Sequence, residues 1–596
     1  MHAYKAPLRD MRFVLHELHG SAELAALDGQ AELTADLIDD VLEQAASFTE
    51  TVLAPLNAGG DREGCRYEGG IVRTPKGFRE AYDAFRRNGW SAAAGDPAYG
   101  GQGLPASVCK LVEEMICSAN LSFGLYPGLT NGACAALAAH GSAELKSAYL
   151  PRMISGEWSG TMCLTEPHCG TDLGLLRTRA VPRGDGSHAI TGSKIFISAG
   201  EHDLTDNIVH LVLARLPEAP KGVRGISLFV VPKFLPDADG APGSRNGVSC
   251  AGIERKMGIH ASATCQMTFD GAVGWLVGEP HKGMRAMFTM MNSARVSVGT
   301  QGLGVAEAAR QAAVAYARER RQGRALSGAK QPGEPADPII VHPDVRRMLM
   351  TARAWTEGCR ALCSWVARAL DEQALSPDAA ARAAAADRVA LMTPIVKALF
   401  TDLGFEVADL AVQVYGGHGY IRDNGVEQLL RDARIARIYE GTNGVQALDL
   451  VGRKMSDGFG RPLRTFFHPV LAFIDAHLED DALADYIGPL AKSFGVLQQA
   501  TAHVAASGLR DPEEAGAAAT DYLRLFGLVA LAYMWARTAK IALEKRETAG
   551  PDAAFYDAKL VTARFYMERL LPRTGALWAA IRSGKGATMA LADDMF

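Results

Sequence analysis

Cysteine is scarce and unpaired in this chain. Ten cysteines are spread over 596 residues, and no two stand in a C-x-x-C arrangement. That excludes a small disulfide scaffold and points to free thiols in a reducing compartment. Cys359 and Cys363 lie one helical turn apart, but no His or Cys pair completes a zinc set, so they read as small buried side chains. An excess of one charge is also missing: 62 Lys and Arg face 67 Asp and Glu, a formal net charge of −5. A dedicated nucleic-acid binder usually carries a basic excess. The longest apolar run, Leu525 to Ala536, lies between Arg524 and Arg537 and falls short of the roughly 20 residues that span a bilayer. The N-terminus places Arg9, Asp10, Arg12 and Glu17 in its first turns, with no apolar core of signal type after them. These readings predict a cytoplasmic protein with no membrane span.

Several site motifs are absent as well. There is no G-x-x-x-x-G-K-[ST] phosphate loop and no G-x-G-x-x-G between a strand and a helix, so a Rossmann domain is not supported. HELH at His16 to His19 lacks the H-E-x-x-H spacing and reads as surface histidines. No G-x-S-x-G elbow occurs.

What is present is an ordinary globular composition, 48% hydrophobic and 22% charged, long enough for about four domain-sized units. Residues 1–35 carry an amphipathic segment with Met11, Val14, Leu15 and Leu18 at helical spacing. Residues 36–158 read as an N-terminal α-domain, broken by a Gly/Pro loop at Gly95 to Pro105. Residues 159–281 change character. AITGSKIFIS, NIVHLVLAR, GISLFVVP and TCQMTFDG are short, β-branched or aromatic, and bounded by turn residues. Pro236 to Gly247 reads as an exposed loop. Residues 282–454 return to a helical period, interrupted at Ser327 to Pro338, and residues 455–596 add further helices with a break at Ser507 to Gly516. The predicted fold is mixed and mainly α: a helical domain, a middle β-barrel-like domain, a helical bundle and an extra C-terminal helical domain.

Two polar clusters stand out. MCLTEPHCGTDLG (Met162 to Gly174) sets Thr165, Thr171 and Asp172 among Pro167, Gly170 and Gly174. Glycines allow close backbone approach to a flat or anionic ligand, and loop N–H groups can cradle phosphate; a capped loop explains the same residues. The second cluster, Gln413 to Gln446, breaks a helical pattern at Gly416, Gly417 and Gly419 and ends on Tyr439, Glu440 and Gly441. A carboxylate on an apolar rim can act as a base; an ordinary helix-terminal glutamate fits that position too.

Taken together these strings resemble the acyl-CoA dehydrogenase family of flavoproteins. LTEPHCGTD, GSKIFIS, KMGIHASATCQMTFDGAVGWLVGE, YARERRQGR, QVYGGHGY and IARIYEGTNGVQ occur in family order over residues 36–454. The start YKAPLRDMRFVL and the helical region after 455 resemble a branch of long bacterial members. The resemblance implies α,β-dehydrogenation of an acyl-CoA with FAD as cofactor, the β-hydrogen leaving to flavin N5. It places Glu440 as the base that takes the α-proton, with its own N–H toward the enolate oxygen. Some members carry the base just before an arginine on an earlier helix, but here Ala294 precedes Arg295. Arg295, Tyr439 and Gly441 match positions that hold substrate. Leu164 and Thr165 match the loop on the pyrimidine side of the flavin, and Thr171 the serine near the pyrophosphate. Phe196 replaces the usual flanking tryptophan, Ser198 the usual threonine near N5, and Thr442 follows the base in the cofactor-contacting turn. Arg320, Gln413 and Gly417 match residues that reach a neighbouring subunit's FAD, although YARERRQGR lacks the phenylalanine that usually follows that arginine.

The implied partners are an acyl-CoA, with a short or medium chain or the 3-methylmercaptopropionyl group, and an electron-transferring flavoprotein as acceptor. The extra C-terminal helices favour a homodimer over the common tetramer. Two rival readings share the fold: a flavin oxidase or monooxygenase, and a repurposed DNA-associated protein. The mixed charges after Gly458 speak against the second.

Overall fold

The uninterrupted apolar runs NIVHLVLAR and ISLFVVP form neighbouring strands buried along nearly their whole length, as strands covered on both faces do. They lie in one of two compact units of a computed structural model that describes residues 4–596. This unit comprises Phe48–Pro105 and Ala119–Ser297. It holds eleven strands: β1 (Arg66–Glu68), β2 (Ile71–Arg73), β3 (Trp158–Cys163), β4 (Arg179–Pro182), β5 (His188–Ser198), β6 (Asn207–Arg215), β7 (Ile226–Pro232), β8 (Phe234–Pro236), β9 (Pro242–Arg245), β10 (Val248–Ile253) and β11 (Thr264–Val277). β11 pairs with β5, β7 and β10, while β6 pairs with β3, β4 and β7. The path β11–β5–β4–β6–β7 therefore closes on itself, which makes the sheet barrel-like. One apolar layer, with Leu137, Met153, Trp158, Leu211, Leu228 and Met290, packs between the strands and the unit's helices. Another, with Ile197, Val212, Phe229, Cys265 and Phe269, fills the sheet's interior.

The structure corrects the sequence reading in this unit at two places, the β1–β2 hairpin and the segment after β8. The segment 36–158, read as helical, contains the β1–β2 hairpin, whose two central residues Gly69 and Gly70 both have positive φ, as a tight two-residue turn requires. β3 begins at Trp158 and runs parallel to β6. Pro236 to Gly247 is not a plain loop, because β8 and β9 pair across it.

The other unit comprises the N-terminal segment through Ser47, Ala106–Ser118 and Val298–Phe596. Long helices dominate: Pro343–Leu375, Ala379–Tyr415, Ala484–Arg510 and Pro512–Arg546. The last is the hub. It packs on Pro343–Leu375, Ala379–Tyr415 and Asn443–Asp449, and also on Ala484–Arg510, Ala553–Phe565 and Arg573–Arg582. By length and composition it could cross a membrane, but 67% of its most apolar window is buried inside the fold. Trp535 seats against Gly358, where an added Cβ would meet its indole nitrogen at 2.8 Å. The break expected at Ser507 to Gly516 narrows to Asp511, which caps the next helix through the Glu513 N–H while Pro512 opens it.

This unit also buries a charge network. Arg360, fully buried, donates to Glu114 at 2.5 Å, to Glu307 at 2.7 Å and to Asp10. Lys559 donates to Asp10 and, at 2.7 Å, to Glu357. Burial pushes Glu114 up to about 7 against the pull of Arg360. Asp10 is held well below the usual carboxylate range because Lys559 and Arg360 outweigh its burial. His16 and His19 are not surface histidines: His16 bonds Ser21 and Asp39, and His19 bonds the Ala361 carbonyl. Burial, then the Arg537 charge, pushes His19 down to about 3.

Candidate active site

Each unit carries its own half of the residues singled out from the sequence. In the barrel unit, the loop after β3 is pinned before it reaches any ligand. Glu166 accepts from Lys194 Nζ at 2.8 Å, from Thr178 Oγ1 at 2.6 Å and from the Arg177 N–H at 2.7 Å. Burial would raise this carboxyl, but the Lys194 ammonium and these donors hold it down at about 2. Lys194 also donates to the Leu164 carbonyl at 3.0 Å, and the Ile195 N–H donates to the Thr165 carbonyl at 2.9 Å. These bonds fasten Leu164 and Thr165 to strand β5. Among ligand-type groups, His168 and Cys169 approach Glu166 within 4.8 Å, but the Glu166 carboxylate is already engaged by the donors just named.

Strand β5 itself is bulged here. Its register to β11 shifts between Cys265, opposite Ile197, and Met267, opposite Lys194. Phe196 takes up the extra length at φ +58°, a left-handed conformation that is costly for a bulky residue. The bulge turns the ring outward, and Phe196 is 59% exposed although it sits in a strand. Bulges commonly re-aim a side chain in this way beside a site. Thr165 and Ser198 are half-buried nearby in the same fastened segment, and Thr171 is exposed on the loop. An exposed aromatic face in a segment edged by hydroxyls fits a flat, hydrogen-bonding ring system such as a flavin. Arg295 is buried rather than on a helix surface, and its guanidinium lies 5.9 Å from the Phe288 ring centroid.

In the helical unit, Glu440 and Gly441 form a left-handed turn at φ +56° and +84°. For a glutamate this costs on the order of 1–3 kcal/mol and persists only where the surroundings over-determine it. They do. Gln446 Nε2 donates to the Glu440 carbonyl at 3.1 Å and to the Gly441 carbonyl at 3.3 Å. Lys397 Nζ donates to the Gly441 carbonyl at 2.7 Å and to Asn443 Oδ1 at 2.9 Å. Thr442 Oγ1 accepts from the Val445 N–H at 3.2 Å and so caps the helix Asn443–Asp449. Glu440 is half-buried. Beside it, burial pushes the Tyr439 phenol up, so it stays a donor, and it donates to Gln301. Lys397, Gln446 and Gln301 were not singled out in the sequence. Lys397 left one signal there, a lone cation in the apolar run ALMTPIVKALF.

Arg320, Gln413 and Gly417 gather at another end of this unit. Arg320 ends the helix Gly283–Glu319, and Gln413 and Gly417 flank the end of Ala379–Tyr415. The two helix ends are tied by Tyr316, stacked 4.0 Å from Tyr415 and bonded to His418 at 2.7 Å. All three residues are exposed, and among the described residues the Arg320 guanidinium has no hydrogen-bond or ion-pair partner.

Comparison with known proteins gives consistent matches along the chain. Residues 38–157 match the family profile described as acyl-CoA dehydrogenase, N-terminal domain, residues 161–272 the middle domain, and residues 281–455 the C-terminal domain. Residues 466–592 match the profile described as acetyl-CoA dehydrogenase C-terminal like. The chain is 44% identical to 3-methylmercaptopropionyl-CoA dehydrogenase of Ruegeria pomeroyi, over 96% of this chain and 97% of that one. It is 33% identical to a butyryl-CoA dehydrogenase of Syntrophomonas wolfei, over 100% and 99%. The fold matches a crystal structure of an acyl-CoA dehydrogenase complexed with FAD from Bacillus anthracis, with TM-score 0.74 and 20% identity over 96% of this chain and 91% of that one.

Proposed function

The chain belongs to the acyl-CoA dehydrogenase family, and from that premise we propose that Glu440 takes the α-proton of a short acyl-CoA, 3-methylmercaptopropionyl-CoA first among candidates. It is an acyl-CoA dehydrogenase, an oxidoreductase of the flavoprotein class. FAD is the cofactor of the family, and when bound it supplies the acceptor for the β-hydrogen as hydride. The oxidase and DNA-associated readings find no support among the relatives.

The turn at Glu440 carries the proposal. An α-C–H beside a thioester is a very weak acid, so the base must be fixed and the developing oxyanion must meet fixed donors. Gln446 holds the Glu440 carbonyl, which leaves that residue's carboxylate and N–H set by one rigid turn. Tyr439 and Gly441 flank it, and Arg295 is the cation assigned to the substrate. On the barrel unit, Leu164, Thr165, Thr171, Phe196 and Ser198 are the residues we assign to the cofactor, and on the helical unit the assigned cofactor residue is Thr442. Substrate choice rests on the Ruegeria pomeroyi relative, which matches over nearly the whole chain.

Electrons pass on to an electron-transferring flavoprotein, and the chain works in the cytoplasm as a homodimer. The ten free cysteines support a reducing compartment. The exposed trio Arg320, Gln413 and Gly417 supports contact with a second copy's cofactor; a sedimentation mass near one or four subunits would overturn the dimer. Functional boundaries are set at 36–158, 159–281, 282–454 and 455–596, the last with a structural role.

The test is an anaerobic titration of the FAD-loaded protein with acyl-CoA esters from propionyl to palmitoyl, including 3-methylmercaptopropionyl. Bleaching of the flavin is expected with the short and methylthio-substituted esters. Bleaching by palmitoyl-CoA alone would refute the substrate class, and no bleaching by any ester would refute the α-proton role.

A further inference from the structure

We infer that Lys397 is a positioning residue for the base: its buried ammonium holds the Glu440–Gly441 turn in the left-handed conformation that aims the Glu440 carboxylate. The inference rests on the reading of Glu440 as the base. It starts from an oddity of burial. Lys397 is fully buried midway along the helix Ala379–Tyr415, between Val396 and Ala398, which are also buried. A buried ammonium is costly unless oxygen ligands replace its water.

Two oxygens that it meets belong to the turn. Nζ donates to the Gly441 carbonyl at 2.7 Å and to Asn443 Oδ1 at 2.9 Å. Asn443 is held in turn, with Nδ2 donating to Asp402 Oδ1 at 2.9 Å, to Thr401 Oγ1 at 3.0 Å and to the Ala398 carbonyl at 3.2 Å. The amide therefore has its oxygen fixed toward Lys397 and its nitrogen toward Ala398, Thr401 and Asp402 on the same helix. Gln446 meets the same Gly441 carbonyl from the C-terminal side. One backbone oxygen, next in sequence to a glutamate at φ +56°, is gripped by two side chains. A charge-assisted bond is the stronger of the two kinds, so Lys397 is the dominant grip. Without it, Glu440 relaxes toward a right-handed conformation, which moves its carboxylate while the substrate-binding surface elsewhere is unchanged.

The experiment uses full-length, FAD-loaded Lys397→Met and Lys397→Gln. It measures kcat and KM with butyryl-CoA, bound flavin per chain, thermal midpoint, and exchange of the α-hydrogens of a 3-thia-acyl-CoA with D₂O. That thioester has sulfur in place of its β-carbon, so it can lose an α-proton but no β-hydride. Exchange therefore reads the base alone. For Lys397→Met, exchange and kcat should fall together by about 10²-fold, the scale of a misplaced reacting group, with KM and flavin content within about threefold of wild type. Lys397→Gln keeps a donor without the charge and should fall between. The inference is overturned if exchange in both variants stays within threefold of wild type, or if the loss lies in KM or flavin content with exchange preserved. If Lys397→Met does not fold, Lys397→Gln is judged by the same threshold. Glu440→Gln separates the two readings. If it still exchanges, the base assignment itself falls. If it is silent while the Lys397 variants exchange normally, this inference alone falls.

Discussion

Two left-handed residues, Phe196 and Glu440, sit at nearly the same φ and are held there by different means. Phe196 is a bulge in a ladder: β11 pairs on either side of it, and the Ile195 N–H is diverted to the Thr165 carbonyl. Glu440 is outside any ladder and is held by side chains, Lys397 and Gln446 through the carbonyls of the turn. A ladder fixes where a side chain points but tolerates changes to that side chain. A side-chain cradle is only as stable as each of its members. The bulge should therefore be robust to substitution of Phe196 itself, and the Glu440 turn should not be robust to loss of Lys397 or Gln446.

The largest effect that would test this contrast is at Glu440, the proposed base. Glu440→Gln should lower turnover by about 10²–10⁴-fold with acyl-CoA binding retained in a calorimetric titration; a variant within tenfold of wild type would remove Glu440 from the mechanism. Next comes the anchor beneath the surface proposed for the cofactor. Lys194→Met leaves the buried Glu166 carboxylate unpaired and should cost about 3–5 kcal/mol in urea unfolding. A loss below 1 kcal/mol would mean the loop is not pinned through this pair. Gly441→Ala should cost about 1–3 kcal/mol and reduce kcat, because the new Cβ would sit 2.7 Å from Gln446 Nε2 at a φ alanine avoids. Phe196→Ala should leave apoprotein stability within about 0.5 kcal/mol, since the ring is mostly exposed. It should weaken FAD retention by about 0.5–1.5 kcal/mol. A large stability loss there would show the ring to be core rather than ligand face.

The smallest effect is a pH dependence. Burial, and then the Lys233 charge, pushes His202 down to about 3. The folded value lies below the unfolded one near 6.5, so the fold favours the neutral ring. Its contribution is intact above pH 6.5 and is lost as pH falls toward 3. Between pH 7.5 and 6 this amounts to roughly 0.8 kcal/mol for the one group. His202→Gln should flatten the acid limb of the thermal midpoint by that amount.

Much of this was legible in the residues, for definable reasons. β6 and β7 are apolar at nearly every position, and the Glu440 turn lies inside a string of family order. The β1–β2 hairpin carried its signal too, Gly69-Gly70 between RYE and IVR, but it is only three residues a side and sits within helical neighbours. Asp511 and Pro512 looked like a loop because a cap and an N1 proline use the same residues as a turn. Lys397 could not be placed because its partner is 44 residues away, and no local pattern says which carbonyl a lone lysine meets.

The charge network has a consequence for the order in which this molecule can be completed. Asp10 and Lys559 are 549 residues apart. At about 5–20 residues per second, a ribosome would take roughly half a minute to two minutes between them. Over that interval the N-terminal segment carries a carboxylate whose ammonium does not yet exist, so the first turns of the chain can dock in final form only after nearly the last helix has been made.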